Sequence, residues 1–460
     1  MDENLRKDSN NNELVENKMG VMPVNKLLIN MSLPMMISML VQAMYNIVDS
    51  IFVAQINEGA LTAVSLAFPV QTLMIALLGG TCVGLNAVLS RSLGEKNFEH
   101  VNECARNGVF LAFVIYIILA LVGIFGTDLF YGTQTTDVEI LQYGHDYLSI
   151  VLIGSIGLCF QFTFEKLLQS TGKTFYSMIT QGVGAIINII LDPIFIFGLF
   201  GLPAMGVKGA AVATICGQII AALLGIFMNH KYNHEIEFHF KGFKPSGRII
   251  KQIYSIGIPS IIMQSIGSIM VFGMNQILIG FSTTATAVFG VYYKLQSFIF
   301  MPVFGLNNGL VPIIAYNYGA RRKDRLMKAV NLSRCYAMSI MALGFMVFQI
   351  IPKQLCLLFD ASDFMLSMSV PALRIISISF IIAGFNIISV TMYQALGNAV
   401  WSMVISICRQ LVVLLPSAYI LSLFGNVNLV WWSFPIAEIF ALGMIMFCNK
   451  KIKKIVLDKM

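Results

Sequence analysis

Of the 23 acidic residues in this sequence, only Asp49, Asp192 and Glu438 sit clearly inside long apolar runs, with Glu165 at the edge of another. A carboxylate in hydrocarbon costs at least about 2.5–3.5 kcal/mol even on the lenient insertion scale, so one that is kept there reads as functional. Two carboxylates at close range resist being charged together, which suits a proton carrier. Carboxylate, amide and hydroxyl oxygens together suit a hard cation such as Na+. Asp49 and Asp192 come with such company. Asn46 precedes Asp49 by three residues and Asn188 precedes Asp192 by four, each one helical turn away. Thr214 lies in the next apolar run. Pro193, directly after Asp192, removes a backbone N–H bond, frees a carbonyl near Ile189 and supplies a bend that could differ between two states.

The elements that must position these residues are membrane helices. The chain is 57% hydrophobic and 12% charged over 460 residues, with a mean hydropathy of +0.78. Soluble domains carry about 25% charged residues. Apolar runs of roughly 20 residues, each long enough to cross a bilayer, predict twelve spans: 27–54, 60–89, 108–127, 147–165, 176–198, 209–229, 252–280, 286–312, 331–351, 371–393, 400–424 and 430–449. The fold class is therefore all-α and polytopic. Helix rise then places Asp49, Asp192 and Thr214 at one level, about 8–9 Å below the same membrane edge. Lys294 and Glu438 share a second level, about 12 Å deep, and their opposite signs suggest a pair. The plainer reading is that Lys294 snorkels to the surface and Glu438 only neutralises it. Glu165 beside Lys166 reads as a solvated interface residue or as an acidic lure for cations, and Arg409 as a structural residue bonded to carbonyls or water.

Basic residues crowd one side. Loops such as "RSLGEKN" and "GARRKDRLMK" and the tail "NKKIKK" are rich in Lys and Arg, whereas only Lys208, Lys353 and Arg374 fall in or near loops of the opposite side. The positive-inside rule then puts both termini in the cytoplasm. The net charge of +7 belongs to this rim and implies no nucleic-acid partner. The eight cysteines form no CxxC pair and read as small buried hydrophobes. There is no Walker A sequence, no HExxH and no serine nucleophile motif, which argues against an enzyme. No metal site and no cofactor are expected.

The chain also repeats itself at one constant offset. Lys26 matches Lys251 and Pro34 matches Pro259. Gln71, Gly80, Gly84 and Gly94 match Gln296, Gly305, Gly309 and Gly319. Gln169, Gly172, Ser177 and Met178 match Gln394, Gly397, Ser402 and Met403. A slip of two then pairs Pro193 with Pro416. Six spans per repeat make the two halves parallel, an arrangement that builds transporters with a site between the halves near the midplane. The predicted organisation is a cytoplasmic tail over 1–26, a six-helix bundle over 27–229, a linker over 230–251, a second bundle over 252–449 and a basic tail over 450–460. Gln71, Gln296, Asn307 and Asn308 are polar candidates for the cavity wall, with Lys294, Glu438 and Glu165 as charged ones. The 27 Met and 34 Phe allow a pliable lining, since thioethers repack around different shapes.

The order of "VDSIFVA", "NIILDPIFIFG", "GVKGAAVATICGQ" and "PIIAYNYGA", together with the repeat, resembles the multidrug and toxic compound extrusion (MATE) transporters, in particular their MepA-like bacterial drug-efflux branch. The resemblance implies export of lipophilic, often cationic compounds in exchange for H+ or Na+, as a monomer in the bacterial plasma membrane. It implies that Asp49, Asn188, Asp192 and Thr214 form the cation and proton site of the first half. Some relatives carry an acid in the seventh span, where this chain offers only Gln264. The competing readings are a lipid-linked sugar flippase, which would want several cations in its cavity, and an intramembrane prenyltransferase, which would want paired acids at a cytoplasmic mouth.

Overall fold

The computed structural model describes residues 16–239, 241–359, 362–456, 458 and 460, and among these there is no strand. Ten helices are long and apolar enough to cross a bilayer, and counting each of two bent pairs as one span gives twelve. The first half comprises α1 (Val24–Ala54), α2 (Glu58–Gly94), α3 (Phe98–Phe125), α4 (the bent pair Val138–Ile153 and Ile156–Ser170), α5 (Thr174–Phe197) and α6 (Val207–Tyr232). The second comprises α7 (Gly247–Ile279), α8 (Thr283–Gly319), α9 (Lys323–Ile350), α10 (the bent pair Asp363–Ser377 and Phe380–Ala395), α11 (Ala399–Ser422) and α12 (Val427–Lys454).

The helices outrun their apolar cores. At 37 residues each, α2 and α8 are about 55 Å long, against a hydrocarbon thickness of about 30 Å. Their polar ends project beyond it, which is why hydropathy alone sets the spans too short. Side-chain caps mark the true starts. Asn57 accepts from the Ala60 N–H at the head of α2, Asn97 from His100 at α3, and Ser282 from Ala285 at α8. The fourth and tenth spans, expected over 147–165 and 371–393, are longer than that and bent, by 44° and 49°. In α4 the break falls at Gly154–Ser155. A Cβ on Gly157, just beyond it, would press on the Ile219 backbone of α6 at 2.8 Å.

The repeat holds its register from the end of α1 to the end of α5. The offset that carries Lys26 onto Lys251 also carries the starts of α2, α3, α4 and α5 onto the starts of their partners. It carries the ends of α1, α2, α3, α4 and α5 onto the ends of theirs. The expected slip of two near Pro193 is absent from the helix ends. Ala418 stands opposite Pro193, and Pro416 comes two residues earlier, after a π-helical stretch over Cys408–Leu414 that interrupts α11.

The halves meet backbone to backbone near the end of the molecule that carries the chain termini. A Cβ on Gly84 would overlap the Ile253 carbonyl, and one on Gly309 would lie 2.7 Å from Ser32 Cα. Gly80 abuts Gly257 and Ile261, while Gly305 abuts Met35 and Met36. Gly94 meets Tyr316 and Ala320, while Gly319 meets Arg91 and Glu95. Gly94 on Tyr316 and Ala320 is returned by Gly319 on Arg91 and Glu95, and Gly80 on Ile261 by Gly305 on Met36, all at repeat-equivalent positions, as a two-fold axis along the helices requires. The lack of a Cβ is what lets these helices approach so closely.

The N-terminal segment departs from the polar tail expected over 1–26. Residues 1–15 lie outside the described residues, but Lys18–Val21 is a short helix with Met19 fully buried. Asn17 donates to the Thr171 carbonyl of the first half at 3.0 Å. Arg325 of the second half donates to the Met22 carbonyl at 2.7 Å. The cysteines are all free, and Cys335 is exposed rather than buried.

Overpacking a tight contact typically costs ~1–3 kcal/mol, enough to shift a two-state equilibrium roughly 5–150-fold. Gly319→Val should therefore push the terminal face open. In a variant whose native cysteines are replaced, a cysteine at Ser32, which is 2% exposed, should react with maleimide at least ~5-fold faster when Gly319→Val is added. Equal rates would show that the contact tolerates a side chain.

Candidate functional site

Close packing of α5 on α6 sets up the first-half cluster. A Cβ on Gly217 would meet the Gly184 carbonyl at 2.7 Å and Asn188 Cβ at 3.2 Å, and one on Gly209 would meet the Phe195 backbone. Beyond α5, Gly198 takes a left-handed φ of +73° and turns the chain back. Met205 and Gly206 N–H groups then donate to the Phe195 and Ile196 carbonyls. This turn brings Thr214 beside Asn188. Asn188 is 3% exposed, Asp192 0% and Thr214 8%. With its amide oriented to satisfy both ends, Asn188 donates to Asp192 Oδ2 at 3.2 Å and accepts from the Thr214 hydroxyl at 3.3 Å and the Thr214 N–H at 3.1 Å.

Helix α1 completes the cluster. Asp49 faces Asp192 closely enough to act on its charge. Asp49 Oδ1 is buried and makes no hydrogen bond. Tyr45, one turn before Asp49, faces both aspartates and Thr214. Behind it, Tyr147 of α4 faces Asp49 and Tyr45 and accepts a hydrogen bond from Gln71 Nε2 at 3.0 Å. The arrangement offers carboxylate, amide, hydroxyl and phenol oxygens around a buried acceptor that has no hydrogen-bond partner. Pro193 lies inside α5 without ending it.

The structure gathers Asp49, Asp192, Asn188 and Thr214 and adds Gln71 through Tyr147. Asn46 stays out: it is exposed. The i−4 position of α1, Tyr45, fills the place expected of the i−3 residue. Tyr45 and Tyr147 were missed because tyrosines in apolar runs read as ordinary lining. The helical spacing of Tyr45 to Asp49 was the available signal.

The other candidates are scattered. Gln296 is half-buried on α8. Asn307 is half-buried too, with Oδ1 unpartnered. Asn308 accepts from Lys166 Nζ at 2.9 Å, a bond between the halves. Glu165 is no solvated interface residue. It is 6% exposed and accepts from Gln161 Nε2 at 2.9 Å, because α4 continues to Ser170 and carries residue 165 a turn deeper than its apolar run suggests. The expected Lys294–Glu438 pair is replaced by another. Lys294 is exposed, its ammonium 5.9 Å from the Phe359 ring centroid. Glu438 Oε1 pairs with Arg409 Nη1 at 2.8 Å, and its Oε2 accepts from Asn386 Nδ2 at 2.7 Å. Equal depth did not fix the rotation of each helix about its axis, and that rotation separates Lys294 from Glu438.

The MatE family model matches residues 34–194 and 259–420, once in each half. The chain belongs to the MatE family. Among its relatives, the multidrug export protein MepA of Staphylococcus haemolyticus (strain JCSC1435) is 28% identical over 424 residues, 92% of each chain. MepA of Staphylococcus aureus (strain MRSA252) is 28% identical over 90% of this chain and 91% of its own. A FAD transporter of Shewanella oneidensis is 26% identical over 91% of this chain and 92% of its own. Among solved structures, an outward-facing multidrug resistance MATE transporter of the MOP superfamily superposes with a TM-score of 0.90 at 25% identity, covering 97% of this chain and 99% of that one. A MATE protein in the bent conformation superposes with a TM-score of 0.88 at 25% identity, over 95% of this chain and 96% of that one. This MatE-family chain is thus a multi-pass membrane transporter of the multidrug efflux family and not an enzyme.

Removing a buried hydrogen-bond partner typically costs ~1–3 kcal/mol. Asn188→Leu keeps the volume but strips Asp192 and Thr214 of their amide. The purified protein should unfold several degrees lower in a thermal melt, whereas Asn46→Leu, at an exposed position, should melt as the parent does.

Proposed function

We propose that this transporter is a secondary active antiporter that exports lipophilic, often cationic small molecules in exchange for H+ or Na+ by alternating access. The observation that carries the reading is Asp49 Oδ1, buried beside Asp192 with no hydrogen-bond partner. An unsatisfied buried carboxylate oxygen is costly unless it gains a proton or a cation during the cycle. The working units are the two bundles, 27–229 and 252–449, joined by the linker 230–251. The protein works as a monomer in a bacterial plasma membrane with both termini cytoplasmic, as its basic loops favour, and needs no cofactor beyond the transported ion.

A ligand shifts an equilibrium only through its differential affinity for two states. An ion entering from outside would neutralise the aspartates and satisfy the open acceptor, so the ion-bound and ion-free states of α1 and α5 differ in energy. Drug leaves outward as the ion enters. The glycine contacts that close the terminal face, and the likeness to an outward-facing relative, favour an outward-open state here. Pro193 frees the Ile189 carbonyl inside α5 and gives the helix a bend point. The flippase reading loses ground, since Arg409 is neutralised by Glu438.

In everted membrane vesicles energised by a pH or a Na+ gradient, one at a time, an ethidium-like cation should collapse the gradient that drives export. Asp192→Asn should abolish ion-driven export while the protein remains folded and inserted. Normal export by this variant at a saturating gradient would refute coupling in the first half.

Pro193→Ala should retain ion binding but slow turnover. Export by Pro193→Ala as fast as the parent's would mean that the bend is structural only.

A further inference from the structure

The two halves hold charge between their last two helices in opposite ways. Carrying the first-half cluster onto its repeat-equivalent positions replaces every ligand with a weaker one. Tyr45, Asp49, Asn188, Asp192 and Thr214 become Met270, Met274, Val413, Ser417 and Ile439. The second half has its own polar group of Arg409, Glu438 and Asn386, and this in turn falls on Gly184, Ala213 and Gln161 of the first. In the first half Gly184 lets α5 lie so close to α6 that a Cβ there would sit 2.8 Å from Ala221 Cβ. In the second half Arg409 takes that place, inside the π-helical stretch Cys408–Leu414. A π stretch re-aims the side chains around it, and here the guanidinium reaches Glu438 on α12.

We propose that Glu438 and Asn386 form a cation site in the second half and that the Arg409 guanidinium is its resident occupant, a tethered cation where the first half binds a mobile one. The comparison with a mobile ion rests on the reading of Asp49 and Asp192 given above; the site itself does not. Glu438 is held from both sides. Arg409 Nη1 bonds Oε1 at 2.8 Å, while Asn386 Nδ2 bonds Oε2 at 2.7 Å and the Glu438 carbonyl at 3.0 Å. Asn386 is 2% exposed, and its Oδ1 has no partner, an acceptor left over for a donor. A partly buried carboxylate loses stability when its cation is removed, so the tether keeps the second half electrically complete whatever ion the first half carries. The side chains of Arg409 and Glu438 are 23% and 13% exposed, which leaves a small cation a way in once the arginine is cut back.

The test is chemical rescue of the full chain in lipid nanodiscs, with methylguanidinium as the probe. Arg409→Ala should melt lower than the parent. Methylguanidinium should restore at least half of that loss, because a ligand that binds only the folded state stabilises it. Methylammonium at the same ionic strength should restore less, because a compact, strongly hydrated ammonium is a poorer substitute than a planar, weakly hydrated guanidinium in a partly buried ion pair. Arg409→Ala combined with Glu438→Gln should show no rescue. The proposal is overturned if methylguanidinium raises the melting temperature of Arg409→Ala no more than that of the parent, or raises the double variant equally. If Arg409→Ala gives no folded protein, Arg409→Lys and Arg409→Gln decide. The lysine keeps a tethered cation and should be recovered folded, the glutamine should not, and equal recovery of the two overturns the idea. These are stability readouts, so they hold whether or not Asp192→Asn abolishes export.

Discussion

The close approach of two helix pairs at six glycines governs the architecture. Gly80, Gly84 and Gly94 on α2 meet α7 and α8, and Gly305, Gly309 and Gly319 on α8 meet α1 and α2. In a bilayer the lipid tails are as apolar as the helices, so association depends on close van der Waals packing, and small residues permit it. The contact is symmetric because the sequence is. Around the glycines, Leu27, Leu28, Leu85 and Leu89 of the first half pack in one buried cluster with Ile249, Ile253, Leu306 and Leu310 of the second.

With the terminal face closed in this way, the polar residues of the interior have to be satisfied inside each half. The first half does so incompletely. Asn188 serves Asp192 and Thr214 together, but Asp49 is left with a buried oxygen and no donor. The second half is complete in charge, with one carboxylate, one guanidinium and one amide in direct contact. Repetition within the sequence thus produced the same helices twice, while the chemistry between the last two helices of each half diverged. Where Gly184 admits a tight α5–α6 contact, Arg409 sits in a π-distorted α11.

The N-terminal strap and the Lys166–Asn308 bond add to the closed face. Asn17 reaches the first half and Arg325 holds the same segment to the second, with Met19 buried between them. Lys166 on α4 donates to Asn308 on α8. Each of these contacts bridges the halves at the same end as the glycines, so separation of that face has to break polar bonds as well as glycine packing.

The sequence by itself determined the fold class, the repeat and the depth of the charges well inside the spans. Apolar run length sets what crosses a bilayer, and helix rise converts residue number into depth. It also brought Asp49, Asp192 and Thr214 to one level, with Asn188 one turn away on the face of Asp192, and the structure finds the four together. Rotation about each helix axis was decided only in three dimensions, because depth says nothing about azimuth. That is why Tyr45 rather than Asn46 faces the aspartates, and why Glu438 meets Arg409 instead of Lys294. The bend at Gly154–Ser155 and the burial of Glu165 were hidden for a related reason. Hydropathy reports where a helix is greasy, whereas its true ends are fixed by caps such as Asn57 and Asn97 and its bends by what packs against it.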